Sequence, residues 1–341
     1  LREFNLINQK NINTLNDITK KINSLKYEKI FYFPFNVYSQ YLYEKNNNKK
    51  NCFIVDNYYK KNNCIKPSVL PCSQNILLVI TDKQLYLEQN LKKNFNKIFF
   101  KPYLSTQKKI NLDKKKIPNT NLGELFTYFN SDKSKIFKRL NIKQKTHDYG
   151  PFYEKHLKDL RKKKLNILEI GSYIGASAAS FISYFKNSNV FCMDINHKNF
   201  LFKSKRLKLI NLNYMDEKKV NKFLKKYNNF FDIIIDDGGH YKSHILNNIK
   251  NFNKCLKQSS SIYIIEDFGL KFNYLNDIKN EPDILKFLVS LKNKKILRSN
   301  ILNKNLQKIL INKIKKIYIY KGKWIKYKKN ISDICFMEIK N

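Results

Sequence analysis

At 341 residues, with 42% apolar and 14% aromatic side chains, the chain is too long for one small core and suits two globular domains. No stretch approaches the roughly 18 uninterrupted apolar residues of a membrane span. The net charge of +40 would ordinarily suggest nucleic acid, but only Arg2, Arg139, Arg161, Arg206 and Arg298 are arginine. The excess is lysine, which travels with Asn, Ile, Tyr and Phe, residues with A- and T-rich codons. Compositional bias therefore accounts for the charge better than a dedicated polyanion site, where the bidentate fork of Arg is favoured.

Taken in chain order, the first part alternates apolar strands, "KIFYFPF" (29–35), "CFIVD" (52–56), "NILLVIT" (75–81) and "KIFFKPY" (97–103), with the helical patterns "VYSQYLYEKN" and "KQLYLEQNLKKN". This rhythm predicts a small parallel α/β domain over residues 1–104. All eight glycines lie at Gly123 or later. The turn after the first strand is "FPFNVYS", whose bulky side chains would keep a pyrophosphate from the backbone amides. The domain thus reads as a scaffold or docking unit, with Asp56 closing its second strand. Residues 105–121 are polar and lysine-rich, contain Pro118, and read as a linker.

The domain expected over 122–341 opens on a helical segment and reaches "LNILEIGSYIGASAAS". A strand from Leu165 to Ile170 carries Glu169, runs into Gly171-x-x-x-Gly175, and leads to a helix start of small residues that includes Ser177. Such a turn lets a ligand approach the backbone. The next strand, "NVFCMD", ends at Asp194, where an acid can accept hydrogen bonds from both ribose hydroxyls of an adenosine. A further strand ends near Asp216, placed to meet an adenine edge. Then come "FDIIIDDGGH" and "SIYIIEDFG", apolar runs that end in Asp237 and in Glu266 and Asp267 with no basic partner beside them in the sequence. Brought together, such acids would repel one another, and a hard divalent cation such as Mg²⁺ would relieve that repulsion. Asp236 is either an acidic strand end, a helix cap, or a further contact to the cofactor, and the same capping role is open to Asp237. A C-terminal hairpin is expected around Gly322.

"LEIGSYIGAS" with Asp194 resembles the cofactor site of class I S-adenosylmethionine-dependent methyltransferases. Together with "FNSDK" and "HDYGPFYEKHL", the later motifs resemble the branch of macrolide-sugar O-methyltransferases and cephalosporin-hydroxylase-like proteins, from about Asn121 onward. The resemblance implies a Rossmann-like seven-stranded methyltransferase sheet, here preceded by the smaller Rossmann-like domain. It implies cofactor contacts from Glu169, Gly171, Gly175, Ser177, Asp194, Asp216 and Asp236, and a metal triad of Asp237, Glu266 and Asp267. It also implies a general base at His240, which Gly238 and Gly239 would swing over the crevice, and a lid over the cofactor in the segment of His147, Tyr149 and Tyr153, residues to which a packing role is equally open. His244 reads as structural or as a substrate contact.

The expected activity is a S-adenosylmethionine- and divalent-metal-dependent O-methyltransferase acting on a sugar hydroxyl of a glycan, glycolipid precursor or glycosylated metabolite. The alternatives are an RNA methyltransferase, motivated by lysine, and a non-catalytic scaffold in surface-glycan biosynthesis. Six scattered cysteines without metal spacing and a start without an apolar signal core predict a reduced, cytoplasmic protein. The chain opens on Leu1, leaving room for residues ahead of it, and a homo-oligomer is left open.

Overall fold

The computed structural model describes residues 9–25, 27–33, 42, 45–46, 51–55, 64–65, 76–80, 96–99, 109–139, 142–269, 281–326, 329–330 and 332–340. The chain divides into two compact units, residues 2–106 with 138–142 and residues 107–137 with 143–341.

In the first unit a helix, Gln9–Ser24, precedes five parallel strands: β1 (Lys29–Phe33), β2 (Cys52–Val55), β3 (Cys64–Ile65), β4 (Ile76–Ile80) and β5 (Asn96–Phe99). They lie in the order β3-β2-β1-β4-β5. Ile30 pairs with Leu77 and Tyr32 with Val79, and this face packs on Leu15 and Ile22 of the helix. Phe31 and Leu78, pointing the other way, are buried as well, as expected of a parallel sheet covered on both faces. The helix and β3 were not anticipated from the sequence. Asp56, the turn at 34–39 and the segment 83–94 lie outside the described residues.

The second unit opens with β6 (Ile110–Asn111) and a helical turn, Leu112–Lys114. These residues correct the expectation of a linker running to 121. Leu112 is buried, and Asp113 accepts hydrogen bonds from Ser204 Oγ at 2.6 Å and Lys205 N at 2.9 Å. Helix Leu122–Tyr128 follows, capped by the Asn121 side chain, and later helix Gly150–Leu157; between them lies the short pair β7 (Ile136–Arg139) and β8 (Ile142–Lys145), whose residues 138–142 count with the first unit.

Strands and helices then alternate: β9 (Asn166–Ile170), helix Ala176–Tyr184, β10 (Asn189–Asp194), the short β11 (Phe202–Lys203) paired with β6, β12 (Leu207–Asn211), helix Glu217–Lys226, β13 (Ile233–Asp236), helix Lys242–Phe252 and β14 (Ile262–Glu266). Helices Ile284–Lys292 and Lys304–Lys313 lead to β15 (Ile314–Lys321), the pair β16 (Ile325–Lys326) and β17 (Lys329–Asn330), and β18 (Asp333–Ile339).

Seven strands form one sheet in the order β12-β10-β9-β13-β14-β18-β15, with β18 antiparallel to both neighbours. β15 and β18 are the hairpin expected around Gly322. The runs "NILEI", "IIID" and "IYIIE" are almost wholly buried, so their apolar continuity follows from helices on both faces. The chain leaves β9 toward β10 on one side and returns to β13 on the other. In doubly wound sheets ligands bind at such a reversal, outside the carboxyl ends of the strands, here those of β9 and β13. Among the described residues, no helix is long and apolar enough to cross a membrane.

Candidate functional site

The site gathers at those carboxyl ends. Gly171 follows β9 at φ +87°, and a Cβ there would lie 2.1 Å from the Asp237 carbonyl oxygen. Only glycine lets the turn pass so close to the end of β13. Gly175 caps helix Ala176–Tyr184 in the left-handed region at φ +81°. Gly171→Ala is therefore expected to cost about 2–4 kcal/mol. Gly123→Ala, inside a helix where the added carbon meets nothing nearer than 3.4 Å, should be neutral or gain up to about 1 kcal/mol. Urea unfolding midpoints of the two variants check this.

Strand alternation sorts the acids onto two faces. Glu169 pairs with Ile235, and Ile235 with Ile264, so Glu169, Asp237 and Glu266 share one side of the sheet. Asp236 faces the other. There it is buried, accepts a hydrogen bond from Asn248 Nδ2 at 3.0 Å, and is pushed up to about 7 by burial. This corrects the placing of Asp236 with the cofactor contacts, because consecutive strand residues point to opposite faces. Neither Asp236 nor Asp237 caps the next helix, whose N-cap is Tyr241 with no side-chain bond.

Glu169 is fully buried, and neither carboxylate oxygen has a hydrogen-bond partner. Burial pushes its pKa up to about 7, offset in part by the charge of Lys133 and the nearby hydroxyls of Ser177 and Ser172. Ser177 is buried on the first turn of its helix. Asp194 ends β10 beside β9 and accepts Tyr173 N at 2.8 Å and Asn196 N at 3.4 Å. Asp216 serves helix Glu217–Lys226 as N-cap, accepting Lys219 N at 3.1 Å and pairing with Lys219 Nζ at 3.3 Å. Its carboxylate is thus committed to the helix and lends no support to an adenine contact.

Asp237, His240 and Asp267 each bring one donor atom into a group whose members lie within 4.8 Å of one another. His240 stands in the left-handed region at φ 56°, with Nε2 3.8 Å from Asp237 Oδ1. Beneath the loop, Tyr214 Oη accepts Gly239 N at 2.9 Å and lies 3.1 Å from His244 Nδ1. A Cβ on Gly239 would come 2.5 Å from that nitrogen, so glycine lets the loop rest on the Tyr214–His244 pair. His244 supports the loop from below.

Glu266 lies on the same face but outside that group. Tyr153 donates its hydroxyl to Oε1, and Lys133 Nζ lies 2.6 Å from Oε2 and 2.5 Å from Asp237 Oδ2. The basic partner missing beside these acids in the sequence is therefore Lys133, from "FNSDK". Burial would lower the Lys133 pKa, but Asp237 and Glu266 hold it well above the usual range. Burial raises Asp237, with Lys133 offsetting part of the effect, and it pushes Glu266 up to about 8. Asp267 is held below its ordinary value: burial acts upward, but the His147 charge and bonds from His147 and Tyr149 outweigh it. Tyr149 Oη donates to Asp267 Oδ1 at 2.5 Å, and His147 Nδ1 lies 3.1 Å from the same oxygen. His147, Tyr149 and Tyr153 are each at most 2% exposed. They prop the carboxylates from within the fold, the packing role that the sequence leaves open for them.

No family model matches the sequence. The mycinamicin VI 2''-O-methyltransferase of Micromonospora griseorubida is 27% identical over 128 residues, 36% of this chain and 31% of that protein. Over those residues the chain is similar to this O-methyltransferase. The match spans about a third of that relative's length. Among solved structures, the MycE methyltransferase of the mycinamycin pathway, in complex with Mg, SAH and mycinamycin VI, is 20% identical with a TM-score of 0.48, covering 65% of this chain and 55% of that one. A spermidine synthase from Thermotoga maritima is 14% identical with a TM-score of 0.37, covering 60% and 65%.

Proposed function

We propose that residues 122–341 form an S-adenosylmethionine- and divalent-metal-dependent O-methyltransferase acting on a sugar hydroxyl, and that residues 1–104 serve as a scaffold or docking domain. The observation that carries the reading is the meeting of two unlike sites at the strand ends. A glycine turn with an unpartnered buried carboxylate stands beside a group of two carboxylates and an imidazole. The relative's name, an O-methyltransferase of mycinamicin VI, supports oxygen on a sugar-bearing molecule as the acceptor.

The residues present fit both groups. Glu169, whose carboxylate oxygens accept no hydrogen bond within the chain, would take the cationic amino group of the methyl donor in its ionised form. The Gly171 and Gly175 turn, with Ser177, would let the donor lie against the backbone, and Asp194 would accept its ribose hydroxyls. Asp237 and Asp267 would hold the cation through hard oxygen donors, leaving positions for substrate and water. When bound, the donor supplies a methyl group activated on sulfonium, and the cation makes a nearby hydroxyl more acidic. His240 would accept the hydroxyl proton at its ring nitrogen as the oxygen attacks. Alignment by the strand ends is the remaining contribution of the protein, since in-line displacement needs reacting atoms held close and collinear.

Mass spectrometry of the host's surface glycans, with and without this protein, tests the acceptor class. A sugar lighter by one methyl group in its absence is expected, and unchanged glycans and glycosylated metabolites would oppose the reading. An RNA acceptor is the second reading, favoured by the charge of +40. It predicts RNA binding that weakens steeply with salt.

A further inference from the structure

The proposed chemistry gives Lys133 no task, although its ammonium lies against Asp237 and Glu266. It is 1% exposed, and its place is built. The turn that carries it is fixed by Ser131 N donating to Phe126 O at 2.8 Å and Ser134 N to Ser131 O at 3.1 Å. Tyr149 N donates to the Lys133 carbonyl at 2.9 Å. The ammonium is thereby delivered to Asp237 and Glu266 from a backbone locked to the helix before it and to the segment that props Asp267.

The two acids it touches are used differently. Both Glu266 oxygens are engaged by the protein, one by Lys133 and one by Tyr153. Asp237 gives Oδ2 to Lys133, while Oδ1 faces His240, and Asp237 is one of the three residues whose donor atoms converge. A buried carboxylate engaged on both oxygens by fixed donors is a poor ligand, because binding a cation would first have to break those bonds.

We infer that Lys133 is the resident counter-charge of this site: it withdraws Glu266 from the ligand set and leaves Asp237 and Asp267 to bind a single divalent cation. The inference rests on the metal role proposed above and departs from a triad that includes Glu266. A positive charge fixed against Asp237 also repels an incoming cation, so Lys133 limits metal affinity while keeping the metal-free site charge-balanced.

Electron paramagnetic resonance of Mn²⁺ titrated into the whole chain, without cofactor or substrate, tests it. Lys133→Met should bind Mn²⁺ more tightly than the unaltered chain, by about tenfold or more. Glu266→Gln should keep affinity within about tenfold, and Asp237→Asn should lose it. Binding by Lys133→Met that is unchanged, weaker or absent would overturn the inference, as would a loss beyond about tenfold in Glu266→Gln. Should Lys133→Met fail to fold, the double variant with Glu266→Gln is compared with Glu266→Gln alone. The double variant should bind more tightly, and equal affinity would overturn the inference. No methyl transfer is read, so the expected Mn²⁺ pattern in a chain that methylates nothing would sink the proposed function and leave this inference standing.

Discussion

Asp237→Asn should lower methyl transfer by a factor on the order of 10³ while leaving S-adenosylmethionine affinity within about twofold. The substitution keeps the shape of the side chain and removes the charge that faces both Lys133 and the Asp237–His240–Asp267 group. The expected cofactor contacts, Glu169, Gly171 and Asp194, lie on β9, on its turn and at the end of β10, so they should survive. Single-turnover rates beside calorimetric affinities separate the two effects. Activity that persists in EDTA, or an Asp237→Asn variant with near-normal rate, would contradict the metal role.

Glu169→Gln should do two opposite things. Without cofactor it should stabilise the fold in alkaline solution. The Glu169 carboxyl is pushed by burial from 4.5 to about 7, so between those values the folded chain holds a proton that the unfolded chain releases. Stability from this group is therefore greatest below about pH 4.5 and falls as pH rises to about 7. The loss is about 3 kcal/mol, complete above that range. Gln carries no such proton, so the variant should lose this part of the pH dependence and melt several degrees higher at pH 8. Asp236, also raised to about 7, keeps its own share in both proteins. The second effect is on binding: loss of the anion should weaken S-adenosylmethionine by about 10- to 100-fold. Thermal melts at pH 5 and pH 8 with calorimetry check both. A variant that binds the cofactor as well as the parent would remove Glu169 from the cofactor site.

How far the sequence disclosed this site depended on whether the signal was local. Gly171-x-x-x-Gly175 was legible because a left-handed turn after a strand leaves glycine few substitutes. Asp237 and His240 were legible through "DGGH", and Glu266 and Asp267 through the neighbouring strand end. Asp236 was legible only in part. The period of two puts it opposite Asp237, but what lies on that face, Asn248 on the following helix, is a matter of packing. Lys133 was not legible as a partner. It stands 104 residues from Asp237 in a chain of 67 Lys and Arg, where nothing in composition singles out one lysine. "HDYGPFYEKH" drew attention to His147, Tyr149 and Tyr153, yet sequence could not say which side of the carboxylates they occupy. Their contacts to Asp267 and Glu266 give them the packing role that the sequence left open. The short strand and turn at 110–114 were not anticipated within the expected linker, because Leu112 and Asp113 sit in lysine-rich surroundings and their partner strand lies some ninety residues away.

Binding of the methyl donor at the end of β9, beside a metal-holding acid pair, is measured by isothermal titration of S-adenosylmethionine into the whole chain, with Gly171→Ala and Asp194→Ala as controls. The expected result is saturable one-to-one binding, weakened at least about tenfold in each variant. No heat of binding at millimolar cofactor, or equal binding by all three proteins, would contradict it.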